Sequence, residues 1–308
     1  MSETTNIEWC DSTFNPWMGC TKVSPACDHC YAERSTPART MAVHWGPHAE
    51  RHRTAPATWR QPERWNAQAA EFQAKHGRRQ RVFCASLADV FDNQVPDVWR
   101  ADLFELIRVT PQLDWLLLTK RPQNIVRMVQ AHGAIAGNGS RYLPENVWLG
   151  TTCENQKHLD LNLPALLRTR DDLGARVLFL SIEPMLGPIS LDCWPVYGED
   201  EQQLLNWVIC GGESGPNARP LQLQWVRSIV QQCRAAGVPV LVKQLGREVL
   251  DHGMSSPGEH WPAHMARRPI PRCTEADPGF VMDLRDRKGG DWSEWPEDLR
   301  VRQFPEAA

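Results

Sequence analysis

The chain has 308 residues, enough for one large α/β domain with a sizeable core or for two ordinary domains. Its 34 Lys and Arg against 37 Asp and Glu give a net charge of −3, which excludes a polycation and confines any nucleic-acid contact to a local basic face. The opening MSETTNIEWC lacks the basic and apolar segments of a secretion signal, and no run of about 18 apolar residues follows, so the expectation is a cytoplasmic chain without a membrane span.

The first distinctive element is NPWMGCTKVSPACDHCYAE, residues 15–33, where Cys20, Cys27 and Cys30 crowd one loop and Tyr31 follows at once. A polar region occupies residues 34–81, and between residues 44 and 81 eight Lys or Arg stand against three Glu, interleaved with Trp and His. It reads either as a solvated insertion with helical pieces or as a basic, aromatic-bearing surface for phosphates and bases. From residue 82 a rhythm sets in: VFCASL (82–87), WLLLT (115–119), VWLGTT (147–152), VLFLSI (177–182), WVICGG (207–212) and VPVLVKQ (238–244). These runs are apolar on both faces and spaced by roughly a βα unit, so they predict buried parallel strands. Between them, Trp99, Leu103, Leu106 and Ile107 form one helical stripe, and Trp225, Ile229, Val230 and Cys233 another that Gly237 stops.

Polar residues gather at the ends of the runs: Ser86 and Asp89; Thr119, Lys120 and Arg121; Thr151, Thr152 and Glu154; Ser181 and Glu183; Glu213 and Ser214; Lys243 and Gln244. Strand ends converge on one mouth in a parallel barrel, whereas a doubly wound sheet brings few of them together. The expected fold is therefore α/β, a partial or near-complete parallel (β/α) barrel of about six to seven strands over residues 1–245, with the insertion at about 34–81. Residues 246–308 lose the rhythm and predict an irregular extension on the barrel, anchored by Trp292 and Trp295.

Of the ten cysteines, Cys10, Cys84, Cys153, Cys193, Cys210 and Cys233 are scattered and read as small buried hydrophobes; Cys273, in a polar stretch, is uninformative. The C-x6-C-x2-C trio is different. A zinc site needs a fourth ligand, for which Cys10, His29 and His44 are available, although His29 lies between two of the cysteines. A cubane iron–sulfur cluster held by three thiols leaves one iron open, as a catalytic metal site does. Both remain open on spacing alone.

The stretch FNPWMGCTKVSPACDHCYAE resembles the radical SAM superfamily, and more closely its divergent branch of phage- and prophage-associated three-Cys-motif proteins. The likeness continues through IEW, TKRP, SIEPM, GGESG, VKQLG and DRKGGDWSEWPEDLRVRQFP. The chain departs from the usual C-x3-C-x2-C by three extra residues in the first interval. The resemblance implies that Cys20, Cys27 and Cys30 bind a [4Fe–4S] cluster whose fourth iron chelates S-adenosyl-L-methionine. One electron, from a reductant such as flavodoxin or ferredoxin, would then yield a 5′-deoxyadenosyl radical that takes a hydrogen atom from substrate. It places His29 against the adenine and Tyr31 beside the cluster.

Ser86 and Asp89 are the candidates for the methionine ammonium, because they stand where the superfamily's GGE segment would fall; the chain's own Gly211-Gly212-Glu213 comes several strands later. Gly211 and Gly212 permit close backbone approach to a ligand, and Glu213, Thr151, Glu154 and Glu183 offer polar contacts to the cofactor, Glu154 and Glu183 suiting ribose hydroxyls. Lys243 is a candidate for binding a carboxylate or phosphate, and Cys153 for returning a hydrogen atom to a product radical. The basic insertion and the family's phage association point to a nucleobase in nucleic acid or a nucleotide as substrate. The CxxCY ending is also found in a DNA photolesion lyase of the superfamily. The alternatives are a zinc- or cluster-bearing nucleic-acid-binding protein without catalysis, and an enzyme acting on a peptide or small metabolite.

Overall fold

The computed structural model describes residues 4–135, 142–192, 194, 204–252, 261–262, 264–270 and 279–306, which leaves Cys193 and Cys273 outside. Seven strands form the main sheet: β1 (Ser12–Phe14), β2 (Gln80–Cys84), β3 (Leu113–Thr119), β4 (Val147–Thr152), β5 (Val177–Ile182), β6 (Trp207–Cys210) and β7 (Val240–Val242). Their order in the sheet is their order in the chain. Pairing is parallel, with Phe14 opposite Cys84, Cys84 opposite Leu117, Thr119 opposite Thr151 and Val242 opposite Cys210. Parallel neighbours need long crossovers, and helices Asp97–Val109, Ile125–Ile135, Gln156–Leu167 and Leu223–Ala235 lie in them. An order that never reverses has no switch point. The sheet is thus the partial parallel (β/α) barrel expected, not a doubly wound one.

The strands are buried along nearly their whole length, which is why most of them read as apolar runs, although β2 opens on buried Gln80 and Arg81 and β3 carries a buried Asp114. β1 has no such signal. It is three residues long with two hydroxyls, and Ser12 Oγ is satisfied by Gln80 Nε2 at 2.8 Å across the pair. The predicted stripe on Asp97–Val109 is buried at Leu103, Leu106 and Ile107, but Arg100 and Phe104 join them and Trp99 is only half-buried. On Leu223–Ala235, Val226 takes the inward place expected of Trp225, and Gly237, at φ 61°, ends the helix as its sequence position predicts.

The chain divides into two compact units, Met1–Thr152 with Leu161–Phe179 and Glu306–Ala308, and Cys153–Asp160 with Leu180–Pro305. In the first, Gly150 makes room for the Phe179 ring, since a Cβ there would stand 2.3 Å from it, and Trp9 packs on Phe83 at 4.4 Å and Phe179 at 6.2 Å. In the second, the segment expected to be irregular carries strands Val249–His252, Ala266–Pro269 and Gly279–Asp283, which join Leu221–Gln222 in a four-stranded sheet. ARRP has no apolar alternation, so no periodicity marks it in the sequence. Trp295 is fully buried, its indole N–H donating to the Gly289 carbonyl at 2.9 Å. Val242 N–H donates to Val301 O, and Gln303 N–H to Val240 O, so residues 301–303 cover the β7 edge.

Candidate active site

The thiol loop sits at the C-terminal ends of β1 and β2. Asn15, just past β1, exchanges side-chain hydrogen bonds with Ser86 at 3.0 and 3.3 Å and accepts the Leu87 N–H at 2.7 Å. Gly19 N–H donates to Leu87 O, and Tyr31 Oη donates to the Ser86 carbonyl at 2.8 Å, although the Tyr31 side chain is largely exposed. Between them Ala85 adopts φ 63°, a left-handed conformation that costs a β-carbon-bearing residue about 1–2 kcal/mol. Strain of this kind persists only where neighbours impose it; here Ala85 N–H is held by Phe14 O and its carbonyl accepts from Ala88. The result turns the Ser86 carbonyl and hydroxyl toward the thiol loop.

None of the eight described cysteines is in a disulfide. Cys10, Cys84, Cys153, Cys210 and Cys233 are buried as the sequence implied, and burial pushes the Cys84 and Cys210 thiols far above their ordinary range and Cys233 up to about 12. Within the trio, Cys27 is buried while Cys20 and Cys30 are half-buried, as is His29. Cys30 packs against a small apolar cluster of Met18, Ala32 and Leu87.

Two buried arginines grip the residue after Cys20. Arg121 Nη2 donates to the Thr21 carbonyl at 2.6 Å, and Arg51 Nη2 to the Thr21 hydroxyl at 2.7 Å. Arg51 in turn pairs with Asp92 at 2.6 Å, both side chains essentially buried, and donates to the carbonyls of Gly46 and Ala49. Arg121 pairs with Asp89 at 2.8 Å and brings Nη1 to 3.6 Å from Cys20 Sγ. Burial and the Asp89 charge push the Cys20 thiol up to about 11, against the opposing pull of Arg121. Burial also works against the Arg121 charge, but Asp89, Cys20 and Asp92 outweigh it and hold that guanidinium above its ordinary value.

Asp89 is heavily engaged. Its oxygens accept from Thr119 Oγ1 at 2.8 Å, Phe91 N at 2.9 Å, Lys120 N at 3.2 Å and Arg121 Nη1 at 2.8 Å. Ser86, beside Tyr31 and Asn15, keeps the more open position. Thr151 is buried and donates to the Thr119 carbonyl at 3.0 Å. Asn15, Arg51, Asp92 and Arg121 are the residues that sequence reasoning did not assign. Asn15 lies in FNPW, quoted above only for resemblance; Arg121 was named only as one of the polar residues at strand ends; Arg51 was one cation among eight in a polar stretch.

The remaining candidates belong to the second unit. Cys153 is fully buried, and burial followed by Glu154 and Asp160 pushes its thiol far up, so it is no ready thiolate. Glu154 is buried 3.4 Å from His158 Nδ1. Glu183 and Lys243 pair at 2.6 Å, and Glu213 is gripped by Arg219 at 2.6 and 3.0 Å. A Cβ on Gly211 would stand 2.8 Å from Gln244 O, and one on Gly212 2.2 Å from Leu245 O. These glycines are required by the chain's own backbone at residues 244–246.

The site is that of a parallel (β/α) partial barrel with a thiol-bearing loop pinned to its first two strand ends. The chain belongs to the family described as "Protein of unknown function (DUF5131)", whose profile matches residues 4–283. No curated protein matches it. Among solved structures, a spore photoproduct lyase mutant with bound AdoMet and dinucleoside spore photoproduct is 10% identical, with 91% of this chain and 72% of that one covered and a TM-score of 0.40. Spore photoproduct lyase complexed with the same dinucleoside scores 0.34, again at 10% identity, over 91% of this chain and 68% of that one. No described helix is long and apolar enough to cross a membrane.

Proposed function

We propose that the chain is a radical SAM enzyme in which Cys20, Cys27 and Cys30 hold a [4Fe–4S] cluster. The observation that carries the reading is three free thiols on one short loop, fastened to the C-terminal ends of β1 and β2 through Asn15, Ser86 and Tyr31. The donor set fits such a cluster: three soft sulfur ligands with no disulfide among them. Among the described residues no group of three or more His, Cys, Asp and Glu converges as ligands of a single metal ion. Thiolates of a cubane bind different irons, so they stand wider apart than ligands of one ion.

When bound, the cluster would supply one-electron cleavage of S-adenosyl-L-methionine, and the chain's own residues would bind and orient. Cys20 is a half-buried thiol pushed up to about 11, so loading must displace its proton, as coordination of a thiol does. The Ser86 hydroxyl and carbonyl present polar groups beside the loop for the cofactor's methionine end. Asp89 serves by fixing Arg121, since its oxygens already have donors. Gly211 and Gly212 serve packing in the second unit, where Glu213 and Glu183 each carry a cationic partner.

The substrate we propose is a nucleobase, in a nucleic acid or as a nucleotide. The insertion supports this less strongly than its charge count suggests. Arg51 is internal, Arg53 pairs with Asp102 and stacks on Trp59 at 4.5 Å, Arg78 and Arg79 pair with Asp11 and Asp114, and Arg81 is buried over Trp148. Arg60, Arg64 and Lys75 remain exposed. Three such cations would give single-stranded DNA binding a salt dependence no steeper than a log–log slope of about −2. A steeper slope would place the contact on another face.

The deciding experiment is anaerobic reconstitution with iron and sulfide, then dithionite and S-adenosyl-L-methionine, with 5′-deoxyadenosine as readout. Cys27→Ala should abolish it. Persistence of the product in that variant, or one tightly held zinc and no acid-labile sulfide in the wild type, would sink the reading.

A further inference from the structure

Arg121 does more than the loop alone requires. Its Nη2 bond to the Thr21 carbonyl would suffice to pin the chain after Cys20, yet Nη1 is also brought to 3.6 Å from the Cys20 sulfur. The guanidinium is fixed from behind. Asp89 Oδ2 accepts from Nη1 at 2.8 Å, Asp89 Oδ1 accepts from the Thr119 hydroxyl at 2.8 Å, and that hydroxyl accepts the Arg121 backbone N–H at 2.9 Å. The Arg121 side chain is 9% exposed and that of Asp89 6%, so neither is screened as a surface pair is. A guanidinium keeps its charge at any ordinary pH, and its N–H becomes a charge-assisted donor once the sulfur is a thiolate.

We infer that Arg121 is a positioning residue that sets the reduction potential at the thiol loop, by donating an N–H to the Cys20 sulfur, with Asp89 holding the guanidinium and offsetting part of its charge. This inference rests on the radical SAM reading. Hydrogen bonds to cluster sulfurs, net charge and solvent exposure are the protein's levers on such a potential. A fixed positive donor favours the state with one more electron. Arg121 itself gives up neither electron nor proton; the electron comes from the external one-electron reductant, dithionite in the test. Asp89 thereby acquires a different role from the cofactor contact expected of it.

The test compares reconstituted wild type with Arg121→Gln, Arg121→Lys and Asp89→Asn, all without S-adenosyl-L-methionine. Iron and acid-labile sulfide are measured first, and the midpoint potential then follows from a redox titration monitored by electron paramagnetic resonance. Arg121→Gln should shift the reduced-to-oxidised ratio at least about tenfold toward the oxidised form, a fall of about 59 mV for one electron. Arg121→Lys, which keeps the charge but not the fork, should lie between Gln and wild type. Asp89→Asn, which removes the offsetting charge, should raise the potential. Equal potentials in wild type and Arg121→Gln at equal cluster content would overturn the inference while leaving the radical SAM reading intact. Failure of the wild type to take up iron and sulfide would overturn the reading beneath it. If Arg121→Gln does not fold or load, the other two variants decide: wild-type potentials in both refute the role.

Discussion

The Arg51–Asp92 pair sets up the sharpest test of how the thiol loop is built. The side chains are 0% and 3% exposed, with Nη2 2.6 Å and Nε 2.9 Å from the same carboxylate oxygen. Asp92→Asn keeps the shape but leaves the guanidinium without its counter-charge in a site closed to water. Removing one partner of a buried pair typically costs about 3–5 kcal/mol. Arg51→Met should cost at least as much, because it also deletes the bonds to Gly46 O, Ala49 O and Thr21 Oγ1, each of a kind worth about 1.5–3 kcal/mol when the donor is charged. Combining Arg51→Met with Asp92→Asn removes both charges, so the double variant should be less damaged than the sum of the singles by about 2 kcal/mol or more. The assay is urea unfolding followed by tryptophan fluorescence. At a slope of about 2–3 kcal/mol/M the Asp92→Asn midpoint should fall by about 1–2.5 M. Iron uptake should fall with it, because Thr21 adjoins Cys20. An Asp92→Asn variant within about 0.5 kcal/mol of wild type, or singles that add without coupling, would refute the claim that this pair organises the loop.

Gly150→Ala should destabilise by at least about 1–3 kcal/mol through overpacking against Phe179; Phe179→Leu in the same chain should recover part of it, measured by the urea midpoint. Burial raises the Asp11 carboxyl, but the Arg78 pair and the Arg81 N–H outweigh it and hold the group below 3.8. A depressed carboxylate contributes stability above its unfolded pKa that is lost as pH falls through the folded one, so thermal melts of Asp11→Asn should lose part of the acid-side decline seen in wild type below pH 3.8. At pH 8 a thiol at about 11 carries about a hundredfold less thiolate than one at 9.0, so alkylation of Cys20 in the metal-free protein should be slow and keep rising toward pH 11. Peptide mass spectrometry reads this directly, and Cys20 reacting at pH 8 as fast as an exposed cysteine would contradict the buried geometry.

The parts legible in the sequence are those with a long-range rhythm. VWLGTT and VLFLSI are strands from first to last residue, because strands buried on both faces must be apolar throughout. β1 was hidden by its brevity and hydroxyls, and ARRP by its lack of alternation. Trp225 and Val226 exchange places because apolar residues at consecutive positions leave the stripe's phase ambiguous by one residue. The crowding of the three cysteines is legible in the sequence, while their spacing alone leaves the zinc and cluster readings open. What makes the loop specific is not legible there, since Asn15, Arg51 and Arg121 act across 30 to 101 residues of chain, and no local pattern encodes such a pairing.

The polar strand ends carry a general lesson about reading charge. A carboxylate at the end of a buried strand is as much a burial problem as a catalytic opportunity, and the chain answers it with a cation. Asp89 meets Arg121, Asp92 meets Arg51, Glu183 meets Lys243 and Glu213 meets Arg219. An arginine held this way has more donors than its carboxylate can use. The remainder are what distinguish one site from another: those of Arg51 and Arg121 turn to the chain beside Cys20, while Arg219 turns its Nε, Nη2 and backbone N–H onto Glu213 itself. Following the spare N–H groups of such a cation shows what the pair is tied to: those of Arg51 reach the Thr21 hydroxyl and the Gly46 and Ala49 carbonyls, and those of Arg121 reach the Thr21 carbonyl and the Cys20 sulfur.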